Sequence, residues 1–519
     1  MTLPAAPTPG ADGHHRCDVL VIGAGIAGLQ AARLLAPTLD VIVLDKGIPG
    51  RSGSSPWAQG GMAVALGPDD SPALHAADTI AAADGLTDPV VVDVMCEEAP
   101  ARARELLELG AEFDRDANGV LHLAREGGHS VARSVHRADA TGQEIVRVLR
   151  AAVRDRVLRL EAVAVRLAVS AEGTCAGSWV LVDGRPAFVA ARAVILATGG
   201  AGGLFASTTN QRGATGDGVS LATGAGATVR DMEFMQFHPT ALAAPDGSRF
   251  LLTEALRGAG ATLHDREGRR FLPDVHPHAE LAPRHVVAAA ILDATEDGVA
   301  FLDCTHLTRQ TLEAEFPTVV AAARRVGFDL SSERVPVTPA AHYMVGGVRT
   351  DLDARTDLVG LWAAGEVAST GLHGANRMAG NSLAEALVFG HRAAHSVVDE
   401  LSARTSDATD PPSLDGPHPD PAMLEELRAV MWRHVGPIRS ADSLQTATQV
   451  ITRLRARHPA PGTTADGVEL DHALRTAGLI VRAARLRTES RGGHRREDFP
   501  ATDPDWADRH IEQGPPAHE

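Results

Sequence analysis

The sequence predicts an α/β fold: a doubly wound sheet that takes its ligand at the strand ends, interrupted by an inserted α+β domain and followed by a bundle of helices. Three observations carry that expectation. The chain opens with a strand, a glycine-rich turn and a helix. Two apolar runs much further along each end in a glycine turn. Helical spacing of apolar residues dominates after residue 420. With 519 residues, the chain has room for more than one domain and a large core.

The first strand is CDVLVI (residues 17–22), followed at once by GAGIAG, Gly23 to Gly28. A helix over residues 29–35 comes next, then a second strand, DVIVL, closing at Asp45. A lone GxGxxG is weak evidence. Here it follows a strand, opens a helix and precedes an acid about 20 residues on, which is the dinucleotide-binding arrangement. Gly23 permits the tight turn, Gly25 lets the backbone approach a pyrophosphate, and Gly28 lets helix and strand pack. The phosphates gain backbone donors and the helix dipole, and Asp45 faces ribose hydroxyls. AVILATGG (residues 193–200) reads as a buried strand, and LVGLWAAGE ends at Glu366 before a glycine-rich loop and a helix from about Asn381. Such strands ending in glycine turns describe a Rossmann-like domain.

Residues 232–343 read as an inserted α+β domain, which leaves 14–231 and 344–401 as the two parts of the nucleotide-binding domain. Residues 402–420 are rich in Ser, Asp, Pro and Thr, as in a linker. Asp420 then Pro421 is a helix start, an Asp cap before Pro at the first helical position. Leu424, Leu427 and Met431 mark one helix; Leu444, Ala447, Ile451 and Leu454 a second; Leu470 to Ala484 a third. Residues 421–519 are therefore expected to form a C-terminal helical domain.

Composition excludes several function classes. The net charge of −17, from 49 basic and 66 acidic residues, argues against nucleic acid or an anionic membrane as partner. No apolar run approaches the roughly 18 residues of a membrane span. Residues 1–13 read as a Pro- and Ala-rich tail without a secretory signal. Cys17, Cys96, Cys175 and Cys304 are scattered, so no metal or iron–sulfur site is expected. A reducing cytoplasm fits them best.

Ten motifs in order resemble one family: GSSPWAQGG (Gly53 to Gly61), AREGGHS (Ala124 to Ser130), ADATG (Ala138 to Gly142), ATGG, TGDG (Thr215 to Gly218), EFMQFHPT (Glu233 to Thr240), LLTEALRG (Leu251 to Gly258), LAPR (Leu281 to Arg284), AAHY (Ala340 to Tyr343) and GLHGANRMAGNSL (Gly371 to Leu383). Over nearly its whole length the chain resembles the succinate dehydrogenase/fumarate reductase flavoprotein family, and within it the branch that oxidises L-aspartate. The resemblance implies FAD in the nucleotide site, a capping domain over it and a helical C-terminal domain.

It further implies that Ala24, Ile26, Ala27, Lys46, the run Ser54, Ser55, Pro56, Trp57, Ala58, Gln59, Gly60 and Gly61, and also Asp217, Glu366, Ser382 and Leu383 contact FAD. Asn381 and Ser382 open a helix whose positive end suits negative charge on reduced flavin. Relatives with covalent flavin carry His where this chain has Ser54, so the FAD is expected to be noncovalent.

By the same resemblance His238, Thr253, His342 and Arg377 bind substrate carboxylates. Arg377 is also favoured on physical grounds, since its planar fork matches a carboxylate bidentately. Arg284 matches the family's proton-exchanging arginine, and Glu254 with Arg257, three apart on one helix face, match its acid–arginine proton path. Glu126 separates the branches. The dehydrogenases usually carry an aromatic residue there, whereas a carboxylate pairs with an α-ammonium and repels a bare dicarboxylate.

The expected reaction is therefore oxidation of L-aspartate to iminosuccinate, with oxygen (giving peroxide) or fumarate as acceptor. That product would pass to quinolinate synthase, a possible transient partner, for NAD biosynthesis. The alternatives are a fumarate reductase or succinate dehydrogenase flavoprotein and a silent FAD-binding protein. Three stretches depart from the family pattern: Pro56–Trp57, Met344–Val345, and the unusually basic ESRGGHRREDFP (Glu489 to Pro500).

Overall fold

The computed structural model of the chain describes residues 14–47, 53–401 and 411–514. The proposed N-terminal tail and residues 402–410 of the linker lie outside the described residues.

The opening βαβ unit forms as its pattern dictates. His15–Ile22 pairs in parallel with Val41–Asp45 on one side and with Arg185–Leu196 on the other, and the helix Ile26–Leu35 crosses between the first two strands. Leu158–Glu161 extends the sheet beyond Val41–Asp45. The long strand Arg185–Leu196 serves two further partners. Its final residues pair in parallel with Leu361–Ala363, and its first half pairs antiparallel with Cys175–Val182, which in turn pairs with Val163–Val169. That antiparallel meander was not read from the sequence, because its strands are mostly buried and lack polar alternation. Apolar residues on both faces of the first strands, such as Val19, Leu20, Val21 and Ile22, bury the sheet between two clusters.

The inserted segment builds its own five-stranded sheet, in the order Arg249–Leu251, Met235–Ala243, Val335–Met344, Ala300–Asp303, Thr262–His264. The strands that leave and re-enter the first domain lie side by side, with Met235 opposite Met344. The two chain crossings into and out of the insertion are therefore paired to each other. The helix Arg284–Ala294 packs against this sheet and has a separate apolar core around Val287 and Ile291.

In the C-terminal part, Asp420 caps the helix Pro421–Val435 by accepting from the Ala422 N–H, as expected. Ala441–Arg457 and Ala465–Leu486 follow. The helical reading of residues 421–519 needs correction past Leu486, where the described chain turns into loops and two-residue strands. Arg495–Arg496 pairs with Ile438–Arg439, and Glu512–Gln513 pairs with Val229–Arg230. The basic closing motif now has a physical account. Arg491 pairs with Glu489, Arg496 with Asp498 and Arg495 with Asp293, while Arg491 also donates to the Asp84 carbonyl. These arginines supply donors to a tail whose one helical turn among the described residues is the 3-10 segment Pro504–Trp506.

Candidate active site

One cavity of about 650 Å³ runs from the glycine turn to the junction with the inserted domain. Three helices present their N-termini near it, and none has a side-chain cap: Ile26–Leu35, Asp217–Gly224 and Asn381–Glu400. Each leaves backbone N–H groups for an outside acceptor. The glycines are needed for space. A Cβ at Gly23 (φ +115) would lie 2.1 Å from the Ala197 carbonyl oxygen, and one at Gly28 would lie 2.0 Å from that of Gly23. At Gly380 (φ +80) it would lie 2.8 Å from the Ala63 nitrogen. An anionic dinucleotide suits such a cradle of unpaired backbone donors.

Most of the residues expected to hold FAD line this cavity: Gly23, Gly25, Ala24, Ile26 and Ala27 at the turn, Asp45 and Lys46 after the second strand, Ser54, Ser55 and Trp57 to Gly61 on the next loop, and Asp217, Glu366, Ser382 and Leu383. Three do not line it. Gly28 is a packing position. Pro56 sits inside the short 3-10 turn Ser55–Trp57 and does not face the cavity. The Asn381 side chain turns away, accepting from His75 Nε2 at 2.8 Å and donating to Thr79 Oγ1 at 3.0 Å, so it anchors its helix from behind. Ser54 Oγ accepts from Asn210 Nδ2 at 2.9 Å. Lys46 is ion-paired to Asp217 at 2.7 Å.

At the other end the cavity takes in Glu126, His238, Thr253, Glu254, Arg284, His342 and Arg377. These come from both domains. Thr253 caps the short helix Glu254–Gly258, and Arg284 opens the helix Arg284–Ala294. Burial, with Arg284 and Arg377 nearby, holds the imidazoles of His238 and His342 well below the usual histidine range, so both are neutral. Their rings lie 5.1 Å apart, and His342 Nδ1 is 2.8 Å from Thr209 Oγ1. The Arg377 guanidinium lies over the Tyr343 ring, and its buried Nε has no partner within the protein. Burial, then Arg284, lowers its pKa to about 10, so it stays charged.

Arg284 Nε donates to Glu254 Oε2 at 2.6 Å, and Arg257 Nη2 is 3.6 Å from Glu254 Oε1. Burial would raise the Glu254 pKa, but Arg284 and Arg257 outweigh it and bring it down to about 2. Arg257 stands behind Glu254, outside the cavity lining, and donates to the Glu280 carbonyl. Glu126 is only 8% exposed, and its Oε1 accepts from the Gly61 N–H at 2.8 Å. The glycines after it each have a reason: a Cβ at Gly127 would lie 2.1 Å from Glu254 Oε1, and Gly128 has φ +88, a left-handed backbone that favours glycine.

Two residues escaped the sequence reading. Gln236 lies inside a motif already noted, and its side-chain oxygen accepts from both Arg284 and Arg377. An apolar alternation of the strand around it, EFMQFHPT, was the available signal, since a glutamine at a buried position needs partners. Glu469 lines the nucleotide end from the last helix, and nothing in its own surroundings in sequence distinguishes it from a solvated helix face. No group of His, Cys, Asp and Glu suited to a metal occurs among the described residues.

Comparison with known proteins agrees with this geometry. The FAD binding domain family matches residues 18–383, and the fumarate reductase flavoprotein C-terminal family matches residues 424–513. An L-aspartate oxidase of Caulobacter vibrioides is 47% identical over 496 residues, covering 93% of this chain and 94% of its own. That of Streptomyces coelicolor is 44% identical, covering 98% and 92%. Among solved structures, an E. coli quinol fumarate reductase superposes with a TM-score of 0.89 at 30% identity, covering 96% of this chain and 94% of that one. The cavity, its helix ends and these relatives together place the chain in the L-aspartate oxidase family of FAD-binding flavoproteins.

Proposed function

We propose that the chain oxidises L-aspartate to iminosuccinate, with oxygen or fumarate as terminal acceptor, and so opens a route to quinolinate and NAD. One observation carries the choice of substrate: a buried carboxylate, Glu126, lines the same end of the cavity as the guanidinium of Arg377 with its open Nε. L-aspartate has two carboxylates that need donors and one ammonium that needs an acid, and this set offers both.

FAD, when bound, supplies a two-electron acceptor for the Cα–H of the substrate. The protein does the rest. Arg377 takes a carboxylate in its fork, while the neutral rings of His238 and His342 and the Thr253 hydroxyl supply further hydrogen bonds. Neutral histidines suit this task, because they donate without adding charge to an end already rich in arginine. Glu126 holds the ammonium and so selects the amino acid over succinate. Arg284 relays the proton the substrate gives up: it takes that proton as it yields one of its own to Glu254, 2.6 Å away. Glu254 is an anion at rest and steadies the Arg284 guanidinium; it takes the relayed proton only transiently and, beside Arg257, passes it on. Arginine does not readily give up its own proton, so the carboxylate beside it is required for any net transfer.

A fumarate reductase or succinate dehydrogenase reading shares the fold, but Glu126 and Ser54 both speak against it. Among the described residues no helix is long and apolar enough to cross a membrane. Iminosuccinate is labile in water, which favours hand-off to quinolinate synthase in the cytoplasm. The test is peroxide release from the purified holoprotein with L-aspartate, D-aspartate and succinate side by side. Release with L-aspartate alone is expected; equal release with succinate, or none with L-aspartate, sinks the proposal.

A further inference from the structure

The nucleotide end of the cavity is closed by a helix that the sequence assigns to a different domain. Ala465, Asp466 and Glu469, from the first turns of the helix Ala465–Leu486, line it beside Asp45, Lys46 and Asp217. Lys46 Nζ lies 2.7 Å from Asp217 Oδ2, 3.1 Å from Glu469 Oε2 and 3.3 Å from Thr215 Oγ1. An ammonium has three donors, and here all three are taken by protein acceptors. Burial opposes the charge on Lys46, yet Asp217 and Glu469 outweigh it and raise its pKa. The bridge is therefore an ion pair held in a partly shielded place.

The same helix face is keyed to the cofactor-side turn further along. Thr476 Oγ1 donates to the Gly216 carbonyl at 3.0 Å, and a Cβ at Gly216 (φ +81) would lie 2.5 Å from Thr476 Cγ2. His472 Nε2 is 3.2 Å from the Val165 carbonyl. Glu469, His472 and Thr476 follow one another at helical spacing, so one face of one helix docks on the turn that starts Asp217–Gly224.

We propose that Glu469 is a positioning residue for the cofactor: through Lys46 it latches the last helix over the adenosine end of the cavity and sets how fast the dinucleotide leaves. The end is identified by chemistry. Asp45 and Lys46 follow the second strand, where the dinucleotide fold places the adenosine ribose. The inference rests on the chain's binding FAD there. Cofactor retention then depends on the C-terminal domain as well as on the glycine turn.

The experiment uses the full chain, stripped of flavin and reloaded, and compares the parent with Glu469→Gln and a control, Glu426→Gln. Glu426 pairs with Arg453 elsewhere on the bundle and does not line the cavity. Calorimetry gives the affinities for FAD and ADP, and the return of flavin fluorescence gives the FAD off-rate. Glu469→Gln should weaken both ligands by about fivefold to twentyfold and speed FAD release by a similar factor. The control should match the parent. Affinities within twofold of the parent overturn the latch, and so does tighter binding, which would mean that Glu469 only competes for Lys46. An equal loss in Glu426→Gln also overturns it, because the effect would then be bundle stability. A parent that does not take up FAD would sink the flavoprotein reading itself, a separate result.

Discussion

Arg284, on the inserted domain, and Arg377, on the nucleotide-binding domain, donate to the same atom: each lies 3.0 Å from the side-chain oxygen of Gln236. Gln236 in turn donates from Nε2 to Asn376 Oδ1 at 3.0 Å and to the Arg377 carbonyl at 2.8 Å. One buried amide thus fixes the spacing of two guanidiniums from different domains. It does so without adding a negative charge that would compete with substrate carboxylates. Removing it as Gln236→Leu leaves two buried N–H groups without an acceptor, at about 1–3 kcal/mol each. The expected loss in kcat/KM for L-aspartate is about 10- to 100-fold, shared between KM and kcat, with flavin content unchanged. Steady-state kinetics on the variant checks it; a loss under threefold would show that the arginines are held by other contacts.

In the proposed reaction Arg284 handles a proton, and Glu254, ion-paired to it at 2.6 Å, holds it in place. Arg284→Leu should therefore bind an unreactive dicarboxylate with an affinity within about tenfold of the parent, seen as a shift of the flavin spectrum, while turnover falls by a factor of about 10³ or more. Failure to bind the dicarboxylate would make Arg284 a binding residue and leave the proton without a receiver.

Glu126→Leu separates the two directions of chemistry. It removes the proposed partner of the ammonium and none of the residues proposed to hold the carboxylates of a plain dicarboxylate. L-aspartate oxidation should fall by about tenfold or more in kcat/KM, while fumarate reduction changes little. Equal losses in both assays would refute the ammonium-pairing role.

Ser54 makes a simple chemical prediction about the cofactor. Its hydroxyl accepts from Asn210, and a hydroxyl offers no nitrogen for a flavin linkage. After acid precipitation of the holoprotein, flavin absorbance should remain in the supernatant. Flavin that stays with the pellet would show a covalent link from another residue.

Local pattern carried the first strand, the glycine turn and the capped start at Asp420, because each is decided by residues close in sequence. The antiparallel strands Val163–Val169 and Cys175–Val182 were not legible, since burial on both faces erases their alternation. The described stretch after Leu486, counted within the helical domain, carries only a 3-10 turn of helix. Most of its arginines pair with acids two residues away, and the pairing of Arg495 with Asp293 joins residues far apart, which no local rule displays. The same division holds in the site. His238, Thr253, Arg284, His342 and Arg377 were found by motif, and the structure brings them to one cavity. Arg257 and Asn381 stand one layer behind it. Gln236 and Glu469 act through partners far away in sequence, and pairings of that kind appear only once the chain is folded.

The last prediction concerns pH. Glu366 lines the cavity, and its Oε1 accepts from the Met344 N–H at 2.8 Å. Burial raises its carboxyl to about 7, against the pull of that hydrogen bond and of Arg377. Between the ordinary carboxylate range and about 7, the folded protein holds a proton that the unfolded chain has lost. Stability must then fall as pH rises through that window, by something on the order of 1–3 kcal/mol from this group. Protonation also removes a negative charge beside an anionic cofactor, so FAD affinity should fall over the same window. Glu233, likewise raised to about 7 by burial, contributes to the parent curve but remains in the variant and cancels in the comparison. Glu366→Gln should therefore flatten the decline of apoprotein unfolding free energy between pH 5 and 7.5 (about the window set by these shifts). Denaturation curves of parent and variant that stay parallel across that range would show that Glu366 is ionised throughout, held by its backbone donors alone.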